Sequence, residues 1–417
     1  MSDKYTVLDL FSGAGGLTEG FSIDSFRFIA HVEMNPNAAR TLETRLGYHL
    51  LRGTKFEPIY QSYVNNKISR EEYIAKVRNM NLFDDNLFVQ QISDATIQDL
   101  FAQIETTQRR IGLSKVDVLI GGPPCQAYSC AGRARDPYRM INDPRNDLYL
   151  HYIAFLKRYQ PDLFVFENVP GIRSAKNGHV YKDLVRQVVQ LGYSMDRRVL
   201  NAADFGVVQD RKRLIIMGWK DEHDFQYPDF PKTPSTATVG DLLGDLPPLK
   251  PGEGTNLPQE YCTPTTSYLR ESKIRSENDI LRNHHARGHN ERDREIYRRA
   301  IRELEAGKRL RYNELPAELI THKNVTSYLD RFKVVDPARR SHSVVAHISK
   351  DGHYYIHPDI NQARSLTVRE VARIQSFPDN YLFEGARREQ FKQVGNAVPP
   401  MMATGIAEQV HRMLKRI

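Results

Sequence analysis

Val116-Asp117-Val118-Leu119-Ile120-Gly121-Gly122-Pro123-Pro124-Cys125-Gln126 sets an apolar run against a turn of glycines and prolines that ends on a cysteine. A buried strand leaving into such a turn presents Cys125 at its exit, where a thiol is a nucleophile candidate rather than packing. The same rhythm of short apolar strand, small-residue turn and helical stretch surrounds it. Strands are expected at Thr6 to Leu10, Phe28 to Val32, Val116 to Ile120, Leu163 to Phe166, Tyr193 to Val199 and Arg213 to Trp219. Helices are expected over Leu148 to Tyr159 and Val180 to Leu191, so the first part of the chain reads as an α/β domain on a mostly parallel sheet. Catalytic groups in such a sheet gather beyond the carboxyl ends of the strands. The polar and tyrosine-rich stretch from about Leu50 to Val89 interrupts the rhythm and is expected as an insertion or helical excursion on the surface.

With 417 residues, 40% hydrophobic and 26% charged, the chain is long enough for a large core and a second domain, and disorder is not expected. Three cysteines, Cys125, Cys130 and Cys262, make no disulfide framework and no zinc-ligand spacing, which points to a reducing compartment. Met1-Ser2-Asp3-Lys4 passes straight into the first strand without a signal peptide, and no apolar stretch is long enough to cross a membrane. Fifty-nine Lys and Arg against 51 Asp and Glu give a net charge of +8, which suggests a polyanionic partner.

A second region, 221–385, opens with Pro228, Pro231, Pro234, Pro247, Pro248 and Pro251, a composition suited to a domain boundary. Arg287 to Arg311 carries its apolar residues at amphipathic-helix spacing. Ser341 to Ile348, the turn residues Lys350-Asp351-Gly352-His353 and Tyr354-Tyr355-Ile356 read together as a hairpin. The last segment, 386–417, contains Gly395-Asn396-Ala397-Val398-Pro399 and ends in a helix.

Near the N-terminus, Asp9-Leu10-Phe11-Ser12-Gly13-Ala14-Gly15-Gly16-Leu17 runs from the first strand into a helix. Glycines there let a ligand approach the backbone, but the spacing is neither that of a dinucleotide fingerprint nor that of a phosphate loop. Glu33, just past the second strand, is placed to accept hydrogen bonds from ribose hydroxyls, so a nucleoside cofactor without pyrophosphate is expected.

Over almost its whole length the chain resembles the DNA (cytosine-5-)-methyltransferases of bacterial restriction-modification systems. The resemblance lies in an ordered set: the Asp9 to Gly16 loop, Glu33, Asp94, Pro124-Cys125-Gln126, Glu167-Asn168-Val169, Gln209-Asp210-Arg211-Lys212-Arg213, Leu366 to Gln375 and Gly395 to Pro399. It implies a Rossmann-like S-adenosylmethionine-dependent methyltransferase domain (1–220), a smaller target-recognition domain (221–385) and a C-terminal segment (386–417) returning to the first. It further implies Cys125, Glu167, Arg211 and Arg213 as catalytic residues. Phe11, Gly13, Gly15, Gly16, Glu33, Asp94, Leu148 and Asn396 would hold S-adenosyl-L-methionine, which leaves as S-adenosyl-L-homocysteine.

In that chemistry the Cys125 thiolate adds to C6 of cytosine, C5 becomes enamine-like and takes the methyl group, and loss of the C5 proton and of the cysteine gives 5-methylcytosine. Glu167 would contact N3 and the exocyclic amine with a pKa raised by burial. Arg213 would hold O2, with Arg211 helping to place the nucleophile and ring. No metal is required. Because C6 of a stacked cytosine is out of reach, the base has to be flipped out of double-stranded DNA. The Arg- and Gly-rich loop from Ala127 to about Asn146 is suited to close over it. Base choice is expected between about Tyr227 and Asp359, with the hairpin and the basic-aromatic stretch Tyr328, Arg331, Phe332, Lys333, Arg339, Arg340 and His342 as candidates. A cytoplasmic, nucleoid-associated monomer with a cognate restriction endonuclease as system partner completes the expectation.

Blander readings compete at several positions. Asp94 and Asn396 could be helix caps, and Arg211 and Arg213 surface ion-pair partners. Thr367 to Ile374 could open a helix-turn-helix, the mark of a non-catalytic DNA-binding protein, although its neighbours favour a supporting helix with arginines near phosphate. Methylation of RNA rather than DNA is the enzymatic alternative.

Overall fold

Apolar runs that lack polar alternation become the central strands of one sheet, and two shorter or more polar segments, Leu87–Val89 and Tyr193–Asn201, become its edges. In the computed structural model, which describes residues 4–22, 24–80, 83–124 and 147–417, these are β1 (Tyr5–Leu10), β2 (Phe26–Glu33), β3 (Leu87–Val89), β4 (Val118–Gly121), β5 (Leu163–Asn168), β6 (Tyr193–Asn201) and β8 (Lys212–Lys220). Their order is β3-β2-β1-β4-β5-β8-β6. The first five run parallel, and β8 lies antiparallel between β5 and β6. A two-residue strand, β7 (Gln209–Asp210), pairs in parallel with Ser341–His342.

Burial on both faces accounts for the continuous apolar strands. Leu8, Leu119, Phe164 and Phe166 pack on one side with the helices Ile97–Ile111, Leu148–Tyr159 and His179–Gln190. Val7, Val118, Ile120 and Val165 pack on the other with Phe205, Phe225 and the C-terminal helix Pro400–Leu414. Each fully buried aliphatic side chain contributes about 1.5–3 kcal/mol. The chain leaves β1 toward β2 and β3 and then crosses back to β4 on the opposite side, which opens a crevice at the carboxyl ends of β1 and β4.

The stretch from about Leu50 to Val89 is helical, as expected, through Glu57–Val64 and Arg70–Asn79, and follows a further helix, Pro36–Leu51. It is more than a surface excursion. Tyr48, Tyr60, Tyr63 and Tyr73 build a separate aromatic core, and the segment ends in β3 as the edge strand of the sheet. The tyrosines that made the stretch look polar bury their rings while finding partners for their hydroxyls: Tyr60 donates to the carbonyl of Asn380 and Tyr63 to Glu384.

The expected amphipathic helix is present as Glu291–Glu305, with Ile296, Tyr297, Ala300 and Ile301 buried against Tyr312, Phe332 and Ile356. The expected hairpin is absent. Ser341–His342 pairs with β7, residues Ala346–Ser349 form a 3₁₀ turn, and Ile356 bridges Val334 and Ser365. Val344, Ile348 and Tyr355 look strand-like in sequence because they fill a shared core with Leu366, Val371 and Val394.

The helix Val368–Ile374 begins with a reciprocal capping box between Thr367 and Glu370. Every one of its residues is buried, so it has no face with which to read DNA as a helix-turn-helix. Its arginines are not phosphate ligands either. Arg369 donates to the carbonyls of Arg282, Pro378 and Tyr381, while Arg373 is held by Asp245 and Asp379. Charge that is exposed in a linear motif is here neutralised internally, as a buried charge requires.

Candidate active site

The glycine-rich turn after β1 rests on a buried carboxylate. Asp9 accepts from the Thr18 hydroxyl at 2.6 Å and from Nδ1 of His31 at 3.0 Å, which ties β1 to the following helix and to β2. Gly15, at φ 89°, adopts a left-handed conformation that favours glycine, and Tyr381 donates to the carbonyl of Ala14. A Cβ on Gly16 would collide with the carbonyl oxygen of Val398 and with Ala397, so Gly395 to Pro399 folds back directly onto the loop.

Glu33 ends β2 and reaches the same loop. Its carboxylate accepts from the backbone N–H of Gly13 at 2.8 Å and of Asn35 at 2.7 Å. Burial raises its pKa, and these two donors oppose the rise. Beside it, Met34 is 57% exposed, an apolar side chain at the mouth of the crevice to which sequence reasoning assigned no role. Phe11 is half-buried with φ 55°, and Gly13 has open space where a side chain would stand.

The other expected cofactor residues lie around this rim. Asp94 is fully exposed beyond β3, 3.8 Å from Nδ1 of His151, which shares a helix face with Leu148. It is not a cap, since the N-cap of Ile97–Ile111 is Thr96. Asn396 is the exposed last residue of the helix Arg387–Asn396. It does not cap the terminal helix, whose N-cap is Pro399.

β4 delivers Gly121, Gly122, Pro123 and Pro124 to the crevice; Cys125 and the loop to Asn146 lie outside the described residues. The turn abuts β5 closely. A Cβ on Gly122 would stand 2.5 Å from Oε2 of Glu167, and Nδ2 of Asn168 donates to the carbonyl of Pro123 at 3.1 Å. Glu167 pairs with Arg213, Oε1 to Nε 2.9 Å, with both side chains nearly buried. Its pKa is raised because burial outweighs the attraction of Arg213 and Arg211.

Both arginines of the Gln-x-Arg-x-Arg motif are buried, so neither is the surface ion-pair partner of the blander reading. Only Arg213 faces Glu167 with a direct bond. Arg211, expected to help place the nucleophile and ring, donates among the described residues to the carbonyls of Val344, Gly395 (3.2 Å) and Ala397 (2.9 Å). Gln209 completes this knot. Its Oε1 accepts from Val344 N–H at 2.7 Å, and its Nε2 donates to Oε1 of Gln375 at 2.8 Å. Gln375 in turn donates to the carbonyl of Val394 at 2.7 Å. Asn168, Gln209 and Gln375 all sit inside motifs visible in the sequence, but their tasks depend on backbone carbonyls far along the chain.

Titratable residues also meet at the opposite end of the sheet, where Asp162, Glu222 and His223 converge. Lys115 and Lys220 already neutralise Asp162 there, 2.5 and 3.3 Å away. No described helix is long and apolar enough to cross a membrane.

A family model for C-5 cytosine-specific DNA methylases matches residues 81–412. The type II methyltransferase M.Bpa9945I of Bacillus paralicheniformis is 43% identical over 440 residues, covering 97% of this chain and 98% of that protein. M1.HphI of Haemophilus parahaemolyticus, also a type II methyltransferase, is 32% identical over 409 residues, covering 98% and 87%. Among solved structures, a putative DNA modification methyltransferase encoded within an E. coli prophage superposes with a TM-score of 0.64 at 23% identity, covering 99% and 100%, a likeness of fold.

Proposed function

The chain belongs to the family of C-5 cytosine-specific DNA methylases, and we propose that Cys125 is its nucleophile and Glu167 and Arg213 its cytosine-binding pair. The protein methylates C5 of cytosine in DNA with S-adenosylmethionine. The observation that carries the residue assignment is the Glu167–Arg213 pair, which lies directly against the Gly122 to Pro124 turn leading to Cys125.

The residues around the glycine-rich turn fit a nucleoside sulfonium. Glu33 takes the ribose hydroxyls, Met34 and Phe11 offer apolar surface to the adenine, and Asp94 and Leu148 close the rim. Gly13, Gly15 and Gly16 keep the backbone open, and Asn396 stands at the mouth. The bound cofactor supplies an electrophilic methyl group.

A cytosine flipped out of the duplex enters between the turn and β5. The Cys125 thiolate adds to C6 while Glu167, whose hold on a proton burial strengthens, hydrogen-bonds N3 and limits the charge that builds on the ring. Arg213 donates to O2, where negative charge accumulates. C5 then takes the methyl group. Solvent water takes the C5 proton, its electron pair re-forms the C5–C6 double bond, and the thiolate departs from C6, which restores the aromatic ring. Arg211 acts one layer behind, by holding the Gly395 to Ala397 segment against the cofactor loop. The reaction calls for no metal, and the enzyme works as a cytoplasmic monomer paired with a restriction endonuclease of the same specificity.

Incubation with labelled S-adenosylmethionine and a mixture of duplex DNA and RNA, followed by mapping of 5-methylcytosine, tests this. Label confined to DNA and abolished by Cys125→Ser is expected. Label confined to RNA would overturn the substrate, and wild-type rates in the variant would overturn the covalent route.

A further inference from the structure

Residues Thr321 to Tyr328 form a continuous exposed run that is nevertheless built rigidly. Oδ1 of Asn324 accepts from the N–H groups of Thr326 (3.1 Å) and Ser327 (3.0 Å), and its Nδ2 donates to the Ser327 hydroxyl. Arg331 closes the far side by donating to the carbonyls of Asn324 (2.8 Å), Ser327 (3.1 Å) and Tyr328 (3.0 Å). Both ends are gathered on Tyr312. Its hydroxyl accepts from the N–H groups of Thr321 and His322, and the Arg331 guanidinium stacks 4.0 Å over its ring.

Among the polar residues of this exposed run, the frame also holds two large apolar side chains out to solvent. Tyr328 is 56% exposed and Val325 37% exposed, and Tyr328 sits at φ 54°, a backbone conformation that disfavours an aromatic residue. An exposed tyrosine at a strained position, fixed by the main-chain and side-chain bonds around it, is the pattern of a functional contact rather than of a slack loop.

The surrounding charge indicates the partner. In the helix Glu291–Glu305, Arg294, Arg298 and Arg299 each pair with Glu291 or Glu295. Among the described residues, by contrast, Lys308, Arg309, Arg311, Lys323 and Lys333 have no carboxylate within ion-pair distance. Lys333 is half-buried beside Arg309, and both effects lower its pKa, so the site favours an added anion. Lys333 and Asp330 anchor the loop base on Tyr354, which packs edge-on against His342, 4.9 Å between ring centroids. His342 pairs with Asp210 in β7, next to Arg211 and Arg213, so the loop stands on the frame that carries the proposed active site.

We infer that the loop 321–331 enters a groove of duplex DNA beside the flipped cytosine, with Tyr328 and Val325 against base edges and Lys323, Arg309 and Lys333 on the phosphates. The loop thereby sets sequence preference. This rests on the DNA-methylating function proposed above.

The test uses the full chain, a library of duplexes randomised around a cytosine, and 5-methylcytosine mapping. Tyr328→Asn, which suits the left-handed backbone, combined with Val325→Ala is expected to relax preference at one or two positions. The rate on the best site should fall roughly tenfold, with cofactor affinity and melting temperature unchanged. Lys323→Ala with Arg309→Ala is expected to weaken binding uniformly across sequences and to reduce the salt slope of binding by about 1 for each phosphate no longer engaged. An unchanged preference in the Tyr328/Val325 variant, or a loss equal on all sequences, overturns the loop assignment alone. A wild type that methylates no duplex overturns the parent function and the loop assignment with it.

Discussion

Glu167 and Arg213 face each other across the antiparallel strands β5 and β8, Oε1 to Nε 2.9 Å, yet the carboxyl titrates above its ordinary range because burial outweighs the guanidinium. A folded-state pKa above the unfolded one means that the folded form holds the proton more tightly. That stabilisation is fully present below the unfolded pKa and is lost as pH rises through the folded pKa. Urea unfolding of wild type and Glu167→Gln, followed from neutral pH down to below the ordinary carboxylate pKa, should therefore show wild type gaining stability relative to the variant as pH falls. A flat difference would contradict the raised pKa. The same variant should lose about 10²–10⁴ in kcat if the protonated carboxyl acts on N3.

Asn168 holds the carbonyl of Pro123, two residues before Cys125. Asn168→Ala leaves that buried carbonyl without its donor, at a cost of about 1–3 kcal/mol in stability. It also frees the turn. Methylation should slow by roughly 100-fold while the KM for S-adenosylmethionine is unchanged, as expected for a misplaced nucleophile. Steady-state kinetics with each substrate varied in turn check this split.

The Gln209–Gln375 bond ties β7 to the end of the helix Val368–Ile374, and through Val394 to the segment that meets the cofactor loop. Gln375→Leu removes one of two acceptors of the buried Gln209 amide, which keeps the Ile374 carbonyl at 3.2 Å, and takes the Gln375 donor from the carbonyl of Val394, with an expected loss of about 1–3 kcal/mol. Calorimetric titration should show weakened S-adenosylmethionine binding, although Gln375 itself lies outside the proposed pocket.

Gly16→Ala would press a methyl group into the carbonyl of Val398, a backbone atom that cannot swing away. Overpacking of this kind costs about 1–3 kcal/mol. Roughly tenfold weaker cofactor binding is expected, readable by equilibrium dialysis, with the DNA affinity of the apo protein retained.

Arg373 separates a buried structural role from a phosphate contact. Arg373→Met leaves Asp245 with Arg275, and Asp379 with Arg369 and the Tyr261 hydroxyl, and should destabilise the fold by about 1–3 kcal/mol. The salt dependence of DNA binding measured on the folded protein should be the same as wild type. A reduced slope would restore the phosphate role.

Legibility followed the range of the forces involved. The strands were readable because Val118-Leu119-Ile120 and Phe164-Val165-Phe166 are apolar on both faces, a pattern that only a doubly covered sheet satisfies. The hairpin expectation failed because Val344, Ile348 and Tyr355 owe their apolar spacing to a shared core and not to strand pairing. The tyrosines after Glu33 looked like surface because their polar tips, not their ring burial, dominate the composition.

By itself the sequence determined the α/β layout, the glycine-rich turn and the order of the motifs, because these depend on local periodicity and on residue types adjacent in the chain. Tertiary structure alone decided which polar groups are spent inside the protein and which remain for a ligand. Arg211, Arg369 and Arg373 are basic residues in a basic protein, and only the carbonyls and carboxylates brought to them from distant segments show that they hold the fold together. Tyr328 and Val325 stay outside for the converse reason: the bonds of Tyr312, Asn324 and Arg331 fix their loop in solvent, and no periodicity in the chain records that.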